Sequence, residues 1–460
     1  MEKQGQSGGA GPEWFATALP VTVVLASVAF VHAVWWLVGD NVVVHGNLAD
    51  SDGYARLVRV LRLVETGGWF DITLPRANWP YGGSLHWTRP LDVILIALAL
   101  PVAAFTGFAT ALYWAGVMVS PLLHGLLALA VMWAARPLLT PPGAVIAGAL
   151  TALQFGILGY ATIGHADHHV LIGLIAALAI GLTIRALTET GDDDANRHAL
   201  ALGVVLAAGI WVGTEVQVTA GLCLGVMGLR WAFEGEAWLE RNRRLVLGLT
   251  LGLVAAVAVE RGPDVLGVQY DRISIVHVTL AVLLMAFWRA AGALRNRLRG
   301  LFSRLAFGAL GNVAIIAVMV AVFPKVLVSP LKDVDPVLLG IFDAVAEYAP
   351  MSDASHFLVY AGAALIALPW AAGRAKGDWP GNKAWAWLLI AAALAVYTVF
   401  AVNWIRWSLY VGLVSAVAVA GLLVWADQAI TRRFASPTRT LAITALYLVL
   451  AVGPFLIGMA

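Results

Sequence analysis

Two short polar clusters interrupt an apolar chain. Asp50-Ser51-Asp52-Gly53-Tyr54 follows the first hydrophobic stretch, and Asp167-His168-His169 opens a later one. Carboxylate oxygens and imidazole nitrogens are ligands for Mn²⁺, Mg²⁺ or Zn²⁺. Asp167 and His169 lie at i and i+2 near a helix start, so both can turn toward one ion. Ionisable groups at the mouths of membrane helices tend to face a cavity and to carry function. A plainer reading stands beside this one. Asp is a favoured N-cap, so Asp50 or Asp52 can cap the helix that follows, and Asp167 can cap the helix starting near 168.

The elements that must position these clusters are membrane helices. The 460-residue chain is 61% hydrophobic and 12% charged, against about 25% charged in soluble domains. Apolar stretches recur from Trp14 to the C-terminus, which predicts an all-α integral membrane protein forming one transmembrane domain over 1–460. Spans are expected at 15–38, 108–134, 142–160, 168–188, 197–211, 214–233, 244–261, 273–294, 304–328, 354–373, 383–401, 407–425 and 439–459, thirteen in all. The stretch 91–107 is apolar but short. Pro90 and Pro101 are expected to interrupt it, so it reads as interfacial or re-entrant. The first span is too long for a signal-peptide core and is expected to be retained. Cys223, the single cysteine, lies in an apolar span and reads as a small buried hydrophobe.

Basic residues set the orientation. With the N-terminus inside, most of the 29 Lys and Arg residues fall in cytoplasmic loops such as 230–244 and 289–304, as the positive-inside rule requires. The loops 39–107 and 329–353, the short loop near 161–167 and the turn at Arg406 are then external. Both acidic clusters open to that one face. A net charge of +2 spread over short loops gives no footprint for nucleic acid. Within loop 39–107, residues 52–64 alternate apolar side chains with Arg56, Arg59 and Arg62, which predicts a basic amphipathic helix at the interface. An aromatic, turn-rich segment, Trp79-Pro80-Tyr81-Gly82-Gly83, follows.

Three further charged residues stand out by their surroundings. Glu347, in Val345-Ala346-Glu347-Tyr348-Ala349-Pro350, reads by itself as a solvated loop acid. Arg406, flanked by Trp404 and Trp407, is either a snorkelling anchor or an anion ligand. Glu215, in Gly213-Thr214-Glu215, reads as a turn acid.

In this order the motifs resemble a known family. Asp-x-Asp-Gly-Tyr (50–54) comes first, then Trp-Pro-Tyr-Gly-Gly-Ser-Leu-His-Trp (79–87) and Gly-His-Ala-Asp-His-His (164–169). Ala-Glu-Tyr-Ala-Pro (346–350) and Arg-Trp-Ser-Leu-Tyr (406–410) complete the set. The pattern is similar to the membrane part of the catalytic subunit of oligosaccharyltransferase, in the membrane C-type (GT-C) glycosyltransferases, and most similar to its archaeal branch. The resemblance implies a GT-C fold and transfer of a sugar or oligosaccharide from a polyprenyl-pyrophosphate donor. It implies a divalent metal, Mn²⁺ or Mg²⁺, held by Asp52, Asp167, His169 and Glu347. Asp52, Glu347 and Asp50 are the implied catalytic residues, and Arg406, with Trp404, His168 and Tyr81, the implied donor contacts. The family continues into a soluble domain with a Trp-Trp-Asp-type motif that reads the acceptor sequon. This chain is expected to lack it, leaving a glycan, lipid or protein acceptor, presented with the help of an accessory subunit.

The chemistry suits such a donor. A carboxylate-held cation and an arginine neutralise a large anionic leaving group, and a lipid carrier explains the lack of a nucleotide-binding glycine motif. Two alternatives stand. A monosaccharide transferase using a polyprenyl-monophosphate sugar would need Arg406 less. A lipid-linked glycan transporter would place charges in mid-helix, whereas here the acids gather at one face. The expected location is a prokaryotic plasma membrane, with the site extracytoplasmic.

Overall fold

The computed structural model describes residues 13–38, 41–329, 332, 334–451 and 453. Helix α1 covers Glu13–Val38 and α2 Ser51–Thr66, with strands β1 (Thr73–Leu74) and β2 (Gly83–Ser84) forming a small hairpin. Next come α3 (Pro90–Thr106), α4 (Phe108–Ala135), α5 (Pro141–Thr151), α6 (Phe155–Ala161), α7 (His169–Thr188) and α8 (Asp192–Val212). They are followed by α9 (Val216–Glu234), α10 (Leu239–Arg261), α11 (Ile275–Ala293), α12 (Leu301–Val322) and α13 (Pro336–Ala344). The chain continues through α14 (Ala354–Ala361), α15 (Ala364–Gly377), α16 (Asn382–Asn403), α17 (Ser408–Arg433) and α18 (Thr438–Ala451).

Among the described residues, 9 stretches are long and apolar enough to cross a bilayer, or up to 11 if each of two bent pairs counts as one span. This is an integral membrane protein. The expected count of thirteen is not confirmed among the described residues. The expected spans 142–160 and 354–373 are broken pairs, α5/α6 and α14/α15, each bent by 56°. One stretch, Val216–Asp264, contains both α9 and α10. The expected span 439–459 runs beyond the described residues. The stretch 91–107 is a short apolar helix, α3, not counted among the spans, but the prolines do not interrupt it as expected. Pro90 takes the first helical position, where its missing N–H costs nothing, and Pro101 lies inside the helix.

Close helix packing comes from small residues. A Cβ added at Gly203 on α8 would lie 2.0 Å from the Leu245 carbonyl oxygen on α10, so the two backbones touch there. Helix α7 is buried along most of its length, whereas only 6% of the apolar window of α12 is buried. The core is therefore built around α4, α7, α16 and α17, and α12 presents its apolar surface outward.

Helix α2 matches the expected amphipathic helix in extent but not in orientation. Arg56 and Arg59 are 1% and 2% exposed, while Tyr54 and Val58 are 44% and 52% exposed. The arginines turn inward because Asp92, fully buried on α3, accepts them. Arg56 Nη1 lies 3.3 Å and Arg59 Nε 3.1 Å from its carboxylate. Arg89 adds a third cation at 3.1 Å.

Candidate functional site

The two sequence clusters meet. Asp50 caps α2, its carboxylate accepting from the Gly53 amide at 2.7 Å, as its residue type suggests. Gly164 ties the second cluster to it. The Gly164 N–H donates to the Val117 carbonyl on α4 at 2.9 Å, and its own carbonyl accepts from the Ala49 amide at 2.9 Å. Its φ is +91°, and a Cβ there would lie 2.9 Å from Val43 Cγ2. Only glycine suits that backbone and that contact. Ser120 on α4 donates to the His165 carbonyl. Asp50 Oδ2 consequently sits 3.0 Å from His165 Nε2.

Asp167 is the hub. Its carboxylate bonds His168 Nδ1 at 2.5 Å and also His169 Nδ1. His165 Nε2 lies 4.0 Å away and Arg56 Nη2 3.8 Å away. Burial would raise the Asp167 pKa, but the charges and hydrogen bonds of His168 and His169 hold it well below the usual carboxylate range. On its other side, His169 Nε2 meets Glu347 Oε2 at 3.3 Å. The ring of Tyr160 on α6 stacks on His169 at 4.6 Å between centroids. Asp52 is solvent-facing. Its pKa is raised, first by partial burial and then by the charges of Asp167, Asp50 and Glu347, with His168 opposing.

These side chains suit a divalent cation. Asp167, His168 and His169 each offer a ligand atom, all within 4.8 Å of one another. One carboxylate and two imidazoles are a normal donor set for a first-row metal. This compact triple includes His168, read from sequence as a donor contact, and leaves out Asp52 and Glu347. Those two carboxylates flank it, Glu347 through His169 and Asp52 through its field on Asp167.

A second pairing lies next to the first. Arg406 Nη2 meets Glu215 Oε2 at 3.2 Å, and the Tyr410 hydroxyl donates to Glu215 Oε1 at 2.6 Å. Arg406 lies over the Tyr348 ring at 4.9 Å. Two backbone bonds fasten the Glu347 segment to the Arg406 segment. Met351 N–H donates to the Val402 carbonyl at 2.9 Å, and Ile405 N–H to the Ala349 carbonyl at 3.0 Å. Burial would raise the Glu215 pKa, but the charges of Arg406, His169 and His168 and the Tyr410 hydrogen bond together outweigh it, and the pKa is lowered.

Two expected donor contacts are not brought in. Tyr81 is 88% exposed in the turn of the hairpin, with its amide bonded to the Asn78 carbonyl. Trp404 is 41% exposed and stacks on Phe400 at 6.0 Å. Neither makes a described contact with Asp167 or its neighbours. A turn rich in aromatics carries no long-range information, so its tip cannot be placed from sequence.

Sequence reasoning missed four residues. Glu215 is a paired carboxylate and not merely a turn acid. His165 joins Asp50 to Asp167. Asp92 and Arg56 form the support behind the hub, where Arg56 lies over Trp87 at 4.2 Å and Trp87 faces His168 at 6.4 Å. Asp92 carried a signal, being the one charged residue in the apolar stretch 91–107. The i, i+3 spacing of Arg56 and Arg59, which puts both on one helix face, was another.

No family model and no curated protein matches this chain. Solved structures do. The archaeal oligosaccharyltransferase AglB from Archaeoglobus fulgidus, in complex with an inhibitory peptide and a dolichol-phosphate, has a TM-score of 0.71 at 16% identity. That match covers 97% of this chain and 56% of the other. The A. fulgidus enzyme in complex with Zn and sulfate has a TM-score of 0.66 at 14% identity, over 95% and 52% of the two chains. The same enzyme tethered to an acceptor peptide containing the NVT sequon has a TM-score of 0.70 at 14% identity, over 97% and 55%. The chain spans about half the length of these proteins and shares the fold of that half. The fold expected from the motifs is the one these structures share with this chain.

Proposed function

We propose that this chain is a metal-dependent membrane glycosyltransferase, similar to oligosaccharyltransferase, that moves a sugar or oligosaccharide from a polyprenyl-pyrophosphate donor to an extracytoplasmic acceptor. One observation carries this reading. Four segments far apart in sequence, around Asp52, Asp167, Glu347 and Arg406, converge on one small volume, with Glu347 against His169 and its loop tied to the Arg406 turn. A purely structural membrane bundle has no need of such a convergence of unlike charges.

Asp167, His168 and His169, flanked by Asp52 and Glu347, would hold a divalent cation, Mn²⁺ or Mg²⁺. When bound, the ion neutralises charge developing on the leaving phosphate. The chain's own groups do the rest. Asp52, with its raised pKa, accepts the proton of the acceptor nucleophile. The bond from the sugar carbon to the phosphate oxygen breaks as the bond to the acceptor forms. The leaving polyprenyl pyrophosphate keeps the electron pair, and Arg406 offers it a charge-assisted partner. Glu347, tied to the Arg406 turn, covers the site. The scheme needs only a nucleophile on the acceptor, so a glycan, a lipid or a protein fits it, with an accessory subunit for recognition. The distribution of basic residues supports a site on the extracytoplasmic face of a prokaryotic plasma membrane.

The donor class has a second reading with its own observation. Arg406 already carries Glu215 as a counter-ion, which leaves less free positive charge for a second phosphate and favours a polyprenyl-monophosphate sugar. Turnover of the purified protein on matched pyrophosphate- and monophosphate-linked sugars decides. The pyrophosphate reading expects faster turnover on the pyrophosphate donor and a marked loss in Arg406→Lys, because a single ammonium cannot reproduce the guanidinium fork. Preference for the monophosphate, with Arg406→Lys harmless, selects the second reading.

A further inference from the structure

Glu215 takes no part in the transfer steps above, where it enters only as a counter-ion of Arg406, yet its side chain is closely held. Its side chain is 13% exposed and that of Arg406 23%. Both carboxylate oxygens are engaged, one by Arg406 at 3.2 Å and one by the Tyr410 hydroxyl at 2.6 Å. Tyr410 is 2% exposed on the first turn of α17, so it fixes the carboxylate against the core. Arg406 retains hydrogen-bonding capacity, since its Nε is buried without a hydrogen-bond partner. A half-buried carboxylate beside a half-buried guanidinium stabilises that cation, and it opposes any second anion that approaches the same guanidinium.

We propose that Glu215 is a positioning residue that acts through Arg406, a resident counter-ion with which the phosphate of the lipid carrier must compete. This rests on the donor reading given above. The pair keeps Arg406 aimed and neutralised while the site is empty. It also weakens the hold on the phosphorylated carrier, which speeds release of the leaving group after transfer. The site thereby avoids being trapped by its own product, at the cost of donor affinity.

The test is a binding titration of purified full-length protein in detergent, with undecaprenyl pyrophosphate as the probe. Glu215→Gln keeps the shape and removes the opposing charge. It is expected to bind the probe about tenfold more tightly than the wild type, the scale of one charge-assisted contact. Arg406→Gln is expected to bind more weakly. In the double variant most of the tightening caused by Glu215→Gln should vanish, because the effect passes through Arg406. In turnover, Glu215→Gln should lower the donor KM without raising kcat, and product inhibition should strengthen. Glu215→Asp, which retracts the charge by one methylene, should fall between wild type and Glu215→Gln, and it answers the question should Glu215→Gln not fold. Binding by Glu215→Gln or Glu215→Asp that is no tighter than wild type overturns the proposal, as does full tightening in the double variant. A wild-type protein that binds no phosphorylated polyprenol overturns the donor reading itself, and this proposal with it.

Discussion

Two buried aspartates about one side chain apart behave as opposites. Asp92 is 0% exposed and Asp167 4% exposed, and Arg56 touches both, at 3.3 Å and 3.8 Å. Asp92 is surrounded by permanent cations, Arg56, Arg59 and Arg89. Arginine cannot give up its proton in a protein, so this cluster is closed to any further cation. Asp167 is surrounded by His168, His169 and His165, whose nitrogens can be donors, acceptors or metal ligands. The same carboxylate at similar depth is a strut in one place and part of a candidate coordination site in the other. The partners decide which, and burial does not.

This contrast can be broken by experiment. The largest effect is expected at the hub. Asp167→Asn should lower transfer by about three orders of magnitude or more, the loss of several kcal/mol of electrostatic stabilisation, while the thermal unfolding midpoint in detergent stays near that of wild type. Asp92→Asn should do the reverse. It leaves three buried arginines short of a charge and should destabilise the fold by about 3–5 kcal/mol, read as lost extractable protein and a lower midpoint. Equal behaviour of the two variants in both assays would erase the distinction. Glu347→Gln, which alters a group touching a candidate ligand without removing one, should weaken Mn²⁺ binding by about 10–100-fold in calorimetric titration. Tyr81→Ala should be the mildest change, with transfer within about a factor of two of wild type and stability within about 0.5 kcal/mol, as for an exposed position away from special features.

Much of this site was legible in the sequence, and the reason is physical. Charged residues are scarce in this chain, so Asp50, Asp52, Asp167, His169, Glu347 and Arg406 stood out, and the basic loops assigned them to one face. Asp50 was legible as a cap because capping is a local interaction. What depended on long-range pairing was not legible. The α2 arginines read as headgroup contacts until α3 supplied Asp92. Glu215 read as a turn acid until Arg406, in the turn before α17, and Tyr410, on α17, were brought against it. The bend between α5 and α6 was hidden as well, since hydropathy averages over it. It accompanies a tight contact: a Cβ on Gly156 would lie 2.6 Å from Ser408 Oγ, next to Arg406.

The central claim is that the Asp167 site performs transfer from a lipid-linked donor. It is tested most directly by mass spectrometry of the surface glycans of a strain lacking this chain, complemented with wild type or with Asp167→Asn at equal protein level. The account predicts that one glycan structure is lost on deletion, returns with wild type and stays absent with Asp167→Asn. Unchanged glycans on deletion, or full restoration by Asp167→Asn, would contradict it.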